Sequence, residues 1–366
     1  MPGAPPPRTT IGNGLDLHDN ALNLLRLVFA ALVIATHSRP LTGTGAELEP
    51  LGVPLGGLAV GGFFAISGYL ITGSRLHLPG REFALRRLTR IFPAYWLCSI
   101  VTAFGLAAVI GLERGGWSLS AAYRYVLSGL GMVGWSPTVG GVLDGAPVDD
   151  SMNASLWTLP VEILCYLGLG LVLTVLWARR RLRVSTTLLF LVASGVAVGS
   201  ALTADGPAGL PSLAASFMAG SVLFAWRISV PLHGAVALVS VVAYVLCFQH
   251  GVTVALAALP GAYTCLWLGA VIPRPLRGIG RRHDISYGLY LYGWPVQQTL
   301  VALGLTSLRP GLFALVALIV CTPLAWCSWV LLERPVLTAV KGVRSPTRAG
   351  LPATEPPTAT GCPAVD

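Results

Sequence analysis

Apolar residues in this chain come in long runs, and the polar residues between them come in short, arginine-rich connections. Runs long enough to cross a bilayer cover about 22–38, 51–74, 91–112, 156–177, 184–203, 210–226, 230–248, 252–272, 284–304 and 310–332. The pattern predicts an all-α integral membrane protein of about ten transmembrane helices. The expected layout is a short N-terminal segment at 1–20, one polytopic domain at 21–338 and a tail at 339–366. That tail is rich in Pro, Thr and Ala, a composition expected to be disordered. No signal-peptide pattern precedes the run at Ala21, which is expected to remain as the first span. In the longest connection, 113–155, a helix at 120–132 is predicted that is too short to span.

Composition agrees with the pattern. Of 366 residues, 54% are hydrophobic and 11% charged, against about 25% charged in a soluble domain. The net charge of +9 would raise nucleic-acid binding in a soluble chain. Here membrane orientation accounts for it. If the runs alternate from a cytoplasmic N-terminus, nineteen Lys and Arg fall on the inner side and four on the outer side. Both termini are therefore expected in the cytoplasm of a cell with a multi-pass protein in its cytoplasmic membrane. The seven cysteines form no C-x-x-C pair, and no metal site is expected.

Against this apolar background a few ionisable residues stand out, because such groups are costly in hydrocarbon and face a protein interior or a watery cavity. Arg26 and His37 share one helix face in the first run, about 16 Å apart along the axis. Glu162, just after Pro160, is the only acid placed within hydrocarbon. Alternation puts it at about the depth of His37, close enough to orient the imidazole. Arg86, Arg87 and Arg90 cluster where the third run begins, and guanidinium suits phosphate oxygens in a planar, bidentate way. In the second run Gly57 and Gly61 form a small-x-x-x-small pattern that permits close helix approach. Ser67 lacks a G-x-S-x-G context and reads as a packing serine. Each feature also has a plainer explanation: Arg26 and the arginine cluster as topology anchors, His37 as an interfacial cap, Glu162 as half of an ion pair.

In order and spacing, these residues resemble membrane acyltransferase family 3. Arg26, ten residues and His37 match its first-span signature. Phe63, Phe64, Ser67, Gly68 and Tyr69 match its second span, and Arg87 and Arg90, followed by Pro93, Tyr95 and Trp96, its third. Trp157, Thr158, Leu159 and Glu162 resemble a Trp-Ser-Leu-x-x-Glu stretch, with Thr158 in place of serine. Ser286, Tyr287, Tyr290, Leu291 and Pro295 resemble the late Ser-Tyr segment, and Glu333, Arg334 and Pro335 the final Glu-Arg-Pro. Gly293 stands where many members carry a second histidine.

The resemblance implies O-acyl transfer, usually of acetyl, from acyl-CoA (acetyl-CoA) to a hydroxyl on a carbohydrate or lipid-linked glycan, with no permanently bound cofactor. His37 would be general base, Glu162 its support and Arg26 a steadying charge. Arg86, Arg87 and Arg90 would hold the CoA phosphates, with Ser67, Tyr95, Trp157, Tyr287 and Tyr290 as supporting residues. Direct transfer and an acyl-histidine intermediate both fit. The competing reading is a transporter with an Arg26/His37/Glu162 relay, although no inverted repeat is visible. A polytopic sensor or assembly protein, with these residues as helix glue, is the third.

Overall fold

The computed structural model describes residues 9–132, 134, 136–202, 209–249 and 254–342. Among these residues the chain is helical, with one isolated bridge between Thr10 and Pro231 and no strand. We label the helices α1 (Leu22–Leu41), α2 (Leu55–His77), α3 (Gly80–Arg114), α4 (Leu119–Gly129), α5 (Thr158–Val172) and α6 (Leu182–Leu202). They continue as α7 (Gly209–Ala225), α8 (Gly234–Gln249), α9 (Val254–Val271), α10 (Ser286–Ala302), α11 (Pro310–Ser328) and α12 (Arg334–Gly342). A π turn, Trp329–Glu333, joins the last two without a break. Each apolar run of the sequence falls on one of these helices.

Six of the helical segments are long and apolar enough to cross a membrane, and α7, α8 and α9 are shorter apolar helices. Their outer faces carry Leu191 and Val192 on α6, Leu238 and Val239 on α8 and Ile319 on α11, all exposed. A belt of that kind is a liability in water and a match for lipid. Helix α10 is different in kind. Every residue from Ser286 to Val301 is buried, so this 17-residue helix is surrounded by protein. That explains its polar content. Gln297 and Gln298 are fully buried, and their amide nitrogens donate to neighbouring carbonyls at 2.8–2.9 Å.

The closest helix approach lies elsewhere than the glycine pattern predicts. A methyl group on Gly68 would sit 1.8 Å from the Phe217 carbonyl oxygen, and one on Gly220 would sit 2.0 Å from that of Ala65. Glycine is thus required at both positions to bring α2 against α7. Gly57 and Gly61 have no such neighbour: their added methyls would meet nothing nearer than 3.5 Å. They line a cavity.

The 113–155 connection is a packed cap. It contains α4, close to the predicted 120–132 helix, and a second apolar cluster of Ala122, Tyr125, Val139, Val142, Leu143 and Met152 against α3. Its end is pinned to α10 by Trp294 Nε1, which donates to Ser151 O at 3.1 Å, and by Gln298. Of the N-terminal segment, residues 9–15 pack under the α7–α8 turn, where Ile11 is fully buried and Leu232 N donates to Thr9 O. Helix α12 carries ordered structure to Gly342, past the expected boundary at 338. The rest of the predicted tail lies outside the described residues.

Candidate active site

The polar residues gather at two levels of the bundle, one at each end of the Arg26–His37 face of α1. At the Arg26 level, two arginines and two acids neutralise one another. Asp284, just before α10, accepts from Arg26 Nη1 at 3.0 Å and from Arg90 Nη2 at 2.6 Å on the same oxygen, Oδ2. Ser286 Oγ donates to its other oxygen at 2.6 Å. Arg90 Nη1 reaches Glu333 Oε2 at 3.0 Å, and Ser328 Oγ donates to Glu333 Oε1. The π turn before α12 carries Glu333 into the bundle, where it is 2% exposed. Buried charges are tolerable when paired and hydrogen-bonded, and this set is both. The rings of Tyr287 and Trp329 flank the Arg90 guanidinium at 5.5 and 5.7 Å. The network ties α1, α3, α10 and α11 together.

Arg87 is placed differently. It lies three residues before Arg90 and faces a small cavity lined also by Arg26, Ser67, Arg90, Glu162, Tyr166 and Tyr287. Among the described residues no hydrogen bond or ion pair engages its guanidinium, and its Nε is buried without a partner. Arg86 instead pairs with Glu82 one turn earlier, at 2.5 Å. Glu162 accepts a hydrogen bond from Tyr166 Oη, which also lies 3.4 Å from Ser67 Oγ. A second, small cavity shares Arg26, Glu162 and Tyr287 with the first and is lined also by Phe63, Thr158 and Tyr290. Thr158 and Tyr290 bond through their hydroxyls at 2.6 Å, and Tyr290 also donates to Ser155 O.

At the other level stands His37. Its Nδ1 lies 2.7 Å from Glu47 Oε1, and its ring meets Trp294 edge to face at 4.9 Å. Glu47 belongs to the connection between α1 and α2, folded back by Gly43 and Gly45 in positive-φ conformations and by Thr42, whose hydroxyl donates to Ser38 O. Gly56 lets the carboxylate in: a methyl there would lie 2.7 Å from Glu47 Oε2. The adjacent imidazole holds the Glu47 carboxyl below its ordinary value, against the opposing effect of burial. With Nδ1 turned to a carboxylate, Nε2 is the nitrogen left for other chemistry. Gln297 braces this part of α1 by donating to Ile34 O and Ser38 Oγ. Gly293 is explained here too, since a methyl on it would press within 2.7 Å of Ile34.

The sequence-level pairing of Glu162 with His37 does not occur. Glu162 lies at the Arg26 level, and Glu47 occupies the place beside the imidazole. The depth estimate failed because α5 does not begin at the bundle's edge. Residues 148–157 descend into the protein before the helix starts. Pro295 has no N–H, so the Leu291 carbonyl four residues earlier is free, and Asn153 Nδ2 donates to it at 2.9 Å. Ser155 then meets Tyr290, so α5 starts beside the first turns of α10.

The other expected site residues divide cleanly. Ser67, Tyr287 and Tyr290 line the two neighbouring cavities with Arg26, Arg87 and Glu162. Tyr95 does not, since its hydroxyl donates to Gly129 O at 2.6 Å and pegs α3 to the end of α4. Trp157 is 40% exposed and covers Gly209, away from both cavities. Glu47, Asp284 and Trp294 were missed by sequence reasoning, and Glu333 is a buried acid where only the partly buried Glu162 was expected. The signal for Glu333 was its place at the end of the last apolar run.

The site thus has paired charge and an arginine facing a cavity at one level, and a carboxylate-backed histidine at the other. Residues 19–332 match the family described as Acyltransferase domain, acyltransferase 3, and the chain belongs to it. It is a multi-pass membrane acyltransferase that moves groups other than amino-acyl groups. It is 28% identical over 333 residues to an O-acetyl transferase of Shigella phage Sf6, covering 87% of this chain and 96% of the relative. It is also 27% identical over 368 residues to Nodulation protein 10 of Rhizobium leguminosarum bv. viciae, covering 87% and 94%. No solved structure matches the chain.

Proposed function

We propose that this enzyme transfers an acetyl group from acetyl-CoA to a hydroxyl of a carbohydrate or lipid-linked glycan, with His37 as general base. The observation that carries the reading is the stripe on α10. Tyr287 lies against Arg90 and lines both cavities, Tyr290 lies one turn on, and Trp294 touches His37. Seven residues of helix, about 10 Å, thus connect the arginine level to the imidazole. Arg87, the cluster's uncommitted guanidinium, takes the anionic end of CoA, and the thin thioester arm follows the two neighbouring cavities toward His37. Arg90 holds the helices that shape the cavity, with Arg26. Glu162 sets Tyr166 in the donor cavity, and Glu47 does the orienting first expected of Glu162.

In the reaction, His37 Nε2 takes the acceptor's proton as its oxygen attacks the thioester carbonyl. The C–S bond breaks, and the CoA sulfur leaves with the proton returned from the imidazolium. Glu47 fixes the ring with Nδ1 as donor and supports the positive charge it gains. The resemblance to a protein named as an O-acetyl transferase supports acetyl as the group. The arginine and lysine bias supports ten spans, cytoplasmic termini and a bacterial cytoplasmic membrane, with Arg87 at the cytoplasmic face. The test is transfer from labelled acetyl-CoA in membranes, normalised to folded protein. His37→Gln should nearly abolish it, and wild-type turnover by that variant would overturn the mechanism. A transporter would show counterflow uptake and no CoA-dependent product.

A further inference from the structure

Helix α2 borders a cavity on each of two faces. Val60, Phe63 and Phe64 line the small polar one, with Arg26, Glu162 and Tyr290. Leu58, Gly61 and Gly62 line a larger one, closed by Phe29 of α1 and by the α8–α9 hairpin. No charged residue among those described lines the larger cavity. Two hydroxyls in its wall are engaged with their own helices: Ser216 Oγ donates to Ser212 O and Thr264 Oγ1 to Pro260 O, each at 3.0 Å. Gly61 keeps the space open, since a methyl on it would meet nothing nearer than 3.5 Å. Apolar room therefore lies close to the polar site, on the other side of a wall.

The wall is a pair of rings. Phe29, from the apolar side, meets Phe63, from the polar side, edge to face with centroids 5.8 Å apart. Gly62 lets Phe29 rest on the α2 backbone, because a methyl there would lie 2.4 Å from the ring. Phe63 is held from its other side as well. It meets Tyr290 edge to face at 5.9 Å, and the Arg26 guanidinium lies 6.0 Å from its centroid. Aromatic contacts of this geometry fix ring orientation as well as position. Tyr290 is one helical turn from Trp294, which touches His37. The pair thus stands beside the route by which the acyl end of the donor would approach the imidazole.

We infer that the Phe29–Phe63 pair sets the length of the acyl group, restricting the donor to short-chain acyl-CoA by closing the polar cavity to the apolar space beyond. The inference rests on the proposed acyl-CoA donor and adds the residues that choose among donors. Each methylene of a longer chain gains from burial only where apolar space receives it. On the polar side the chain would meet Arg26 and Glu162, and the apolar space lies behind two rings. An acetyl group ends before it needs that space.

The test is displacement of labelled acetyl-CoA from the full-length protein in nanodiscs by unlabelled acetyl-, butyryl- and octanoyl-CoA. In the parent, octanoyl-CoA should compete at least about tenfold more weakly than acetyl-CoA, the discrimination a close-fitting wall gives against added methylenes. Phe29→Ala should open the wall and close that gap. Phe29→Leu, a smaller truncation, should narrow it where Phe29→Ala disturbs folding. Refilling the space beyond with Gly61→Leu in the Phe29→Ala background should restore the gap, which a general loosening of the fold would not do. Equal competition by octanoyl- and acetyl-CoA in the parent would overturn the inference. So would an unchanged gap in both Phe29 variants while they still bind acetyl-CoA. Failure of the parent to bind acetyl-CoA at all would overturn the proposed donor and this inference with it, so the two failures are distinguishable. The readout needs neither acceptor nor catalysis and is independent of the test of His37.

Discussion

The two ends of α1 carry ionisable groups of opposite design. At the Arg26 level, Arg26 and Arg90 are bound to Asp284 and Glu333 at 2.6–3.0 Å, and each acid also accepts from a serine. At the His37 level there is one pair, formed by an imidazole in a helix and a carboxylate in a connecting loop, with exposures of 21% and 30%. The first arrangement spends its charges on itself and holds four helices in place. The second leaves one ring nitrogen free. The comparison teaches that an ionisable residue in a membrane protein is functional according to what it has left over. On the proposed mechanism the working groups would be Arg87 and His37, with Arg90 a tie.

The largest expected effect breaks the His37 end. General bases contribute about 10²–10⁴-fold, so His37→Gln should lose that factor in transfer rate while inserting normally. Next comes the tie. Arg90→Ala strands Glu333 without its cation and leaves Asp284 with Arg26 alone, and removing one member of a buried pair costs about 3–5 kcal/mol. It should appear as a lowered unfolding temperature in detergent, whereas a loss of donor affinity with stability intact would move Arg90 back among the phosphate ligands.

Arg87→Ala should do the reverse. A hydrogen bond to a charged group contributes about 1.5–3 kcal/mol, so the donor KM should rise about 10–100-fold with little change in stability. Lysine at this position should rescue only in part, since it lacks the planar fork.

The smallest effect sharpens the His37 end. Glu47→Gln should reduce kcat by about tenfold, equivalent to about 1.4 kcal/mol, because an orienting carboxylate assists the base without replacing it. The pH dependence follows from the direction of its shift. A carboxyl held below its ordinary value of 4.5 keeps its pairing through neutral pH. The contribution of Glu47 to the loop is lost only as pH falls through that lowered value. The wild type should therefore show an acid-side loss of loop protection in hydrogen exchange that Glu47→Gln lacks.

The sequence made some of this legible and hid the rest for a physical reason. Arg26, His37 and Glu162 stand out because an ionisable side chain in an apolar run is expensive, so its position alone is informative. Glu47 sits in a polar connection and Asp284 at the edge of one, where an acid is ordinary, and only the folding of the chain brings either one to a partner. The depth of Glu162 was misjudged because apolar length reports how long a helix is and not where it begins. The descent of residues 148–157 depends on Asn153 finding the carbonyl freed by Pro295. The helices themselves were readable from apolar length. The glycines were not, since Gly57 and Gly61 have the spacing of a packing motif while Gly68 and Gly220 do the packing.

The division of labour between the two ends is tested most directly by saturation kinetics with acetyl-CoA, comparing His37→Gln, Arg87→Ala and the parent enzyme in the same nanodiscs. The account predicts that His37→Gln lowers kcat with the donor KM nearly unchanged, and that Arg87→Ala raises the donor KM with kcat largely kept. If His37→Gln raised the donor KM at full kcat, or Arg87→Ala lowered kcat at an unchanged KM, the roles assigned to the two ends would be wrong.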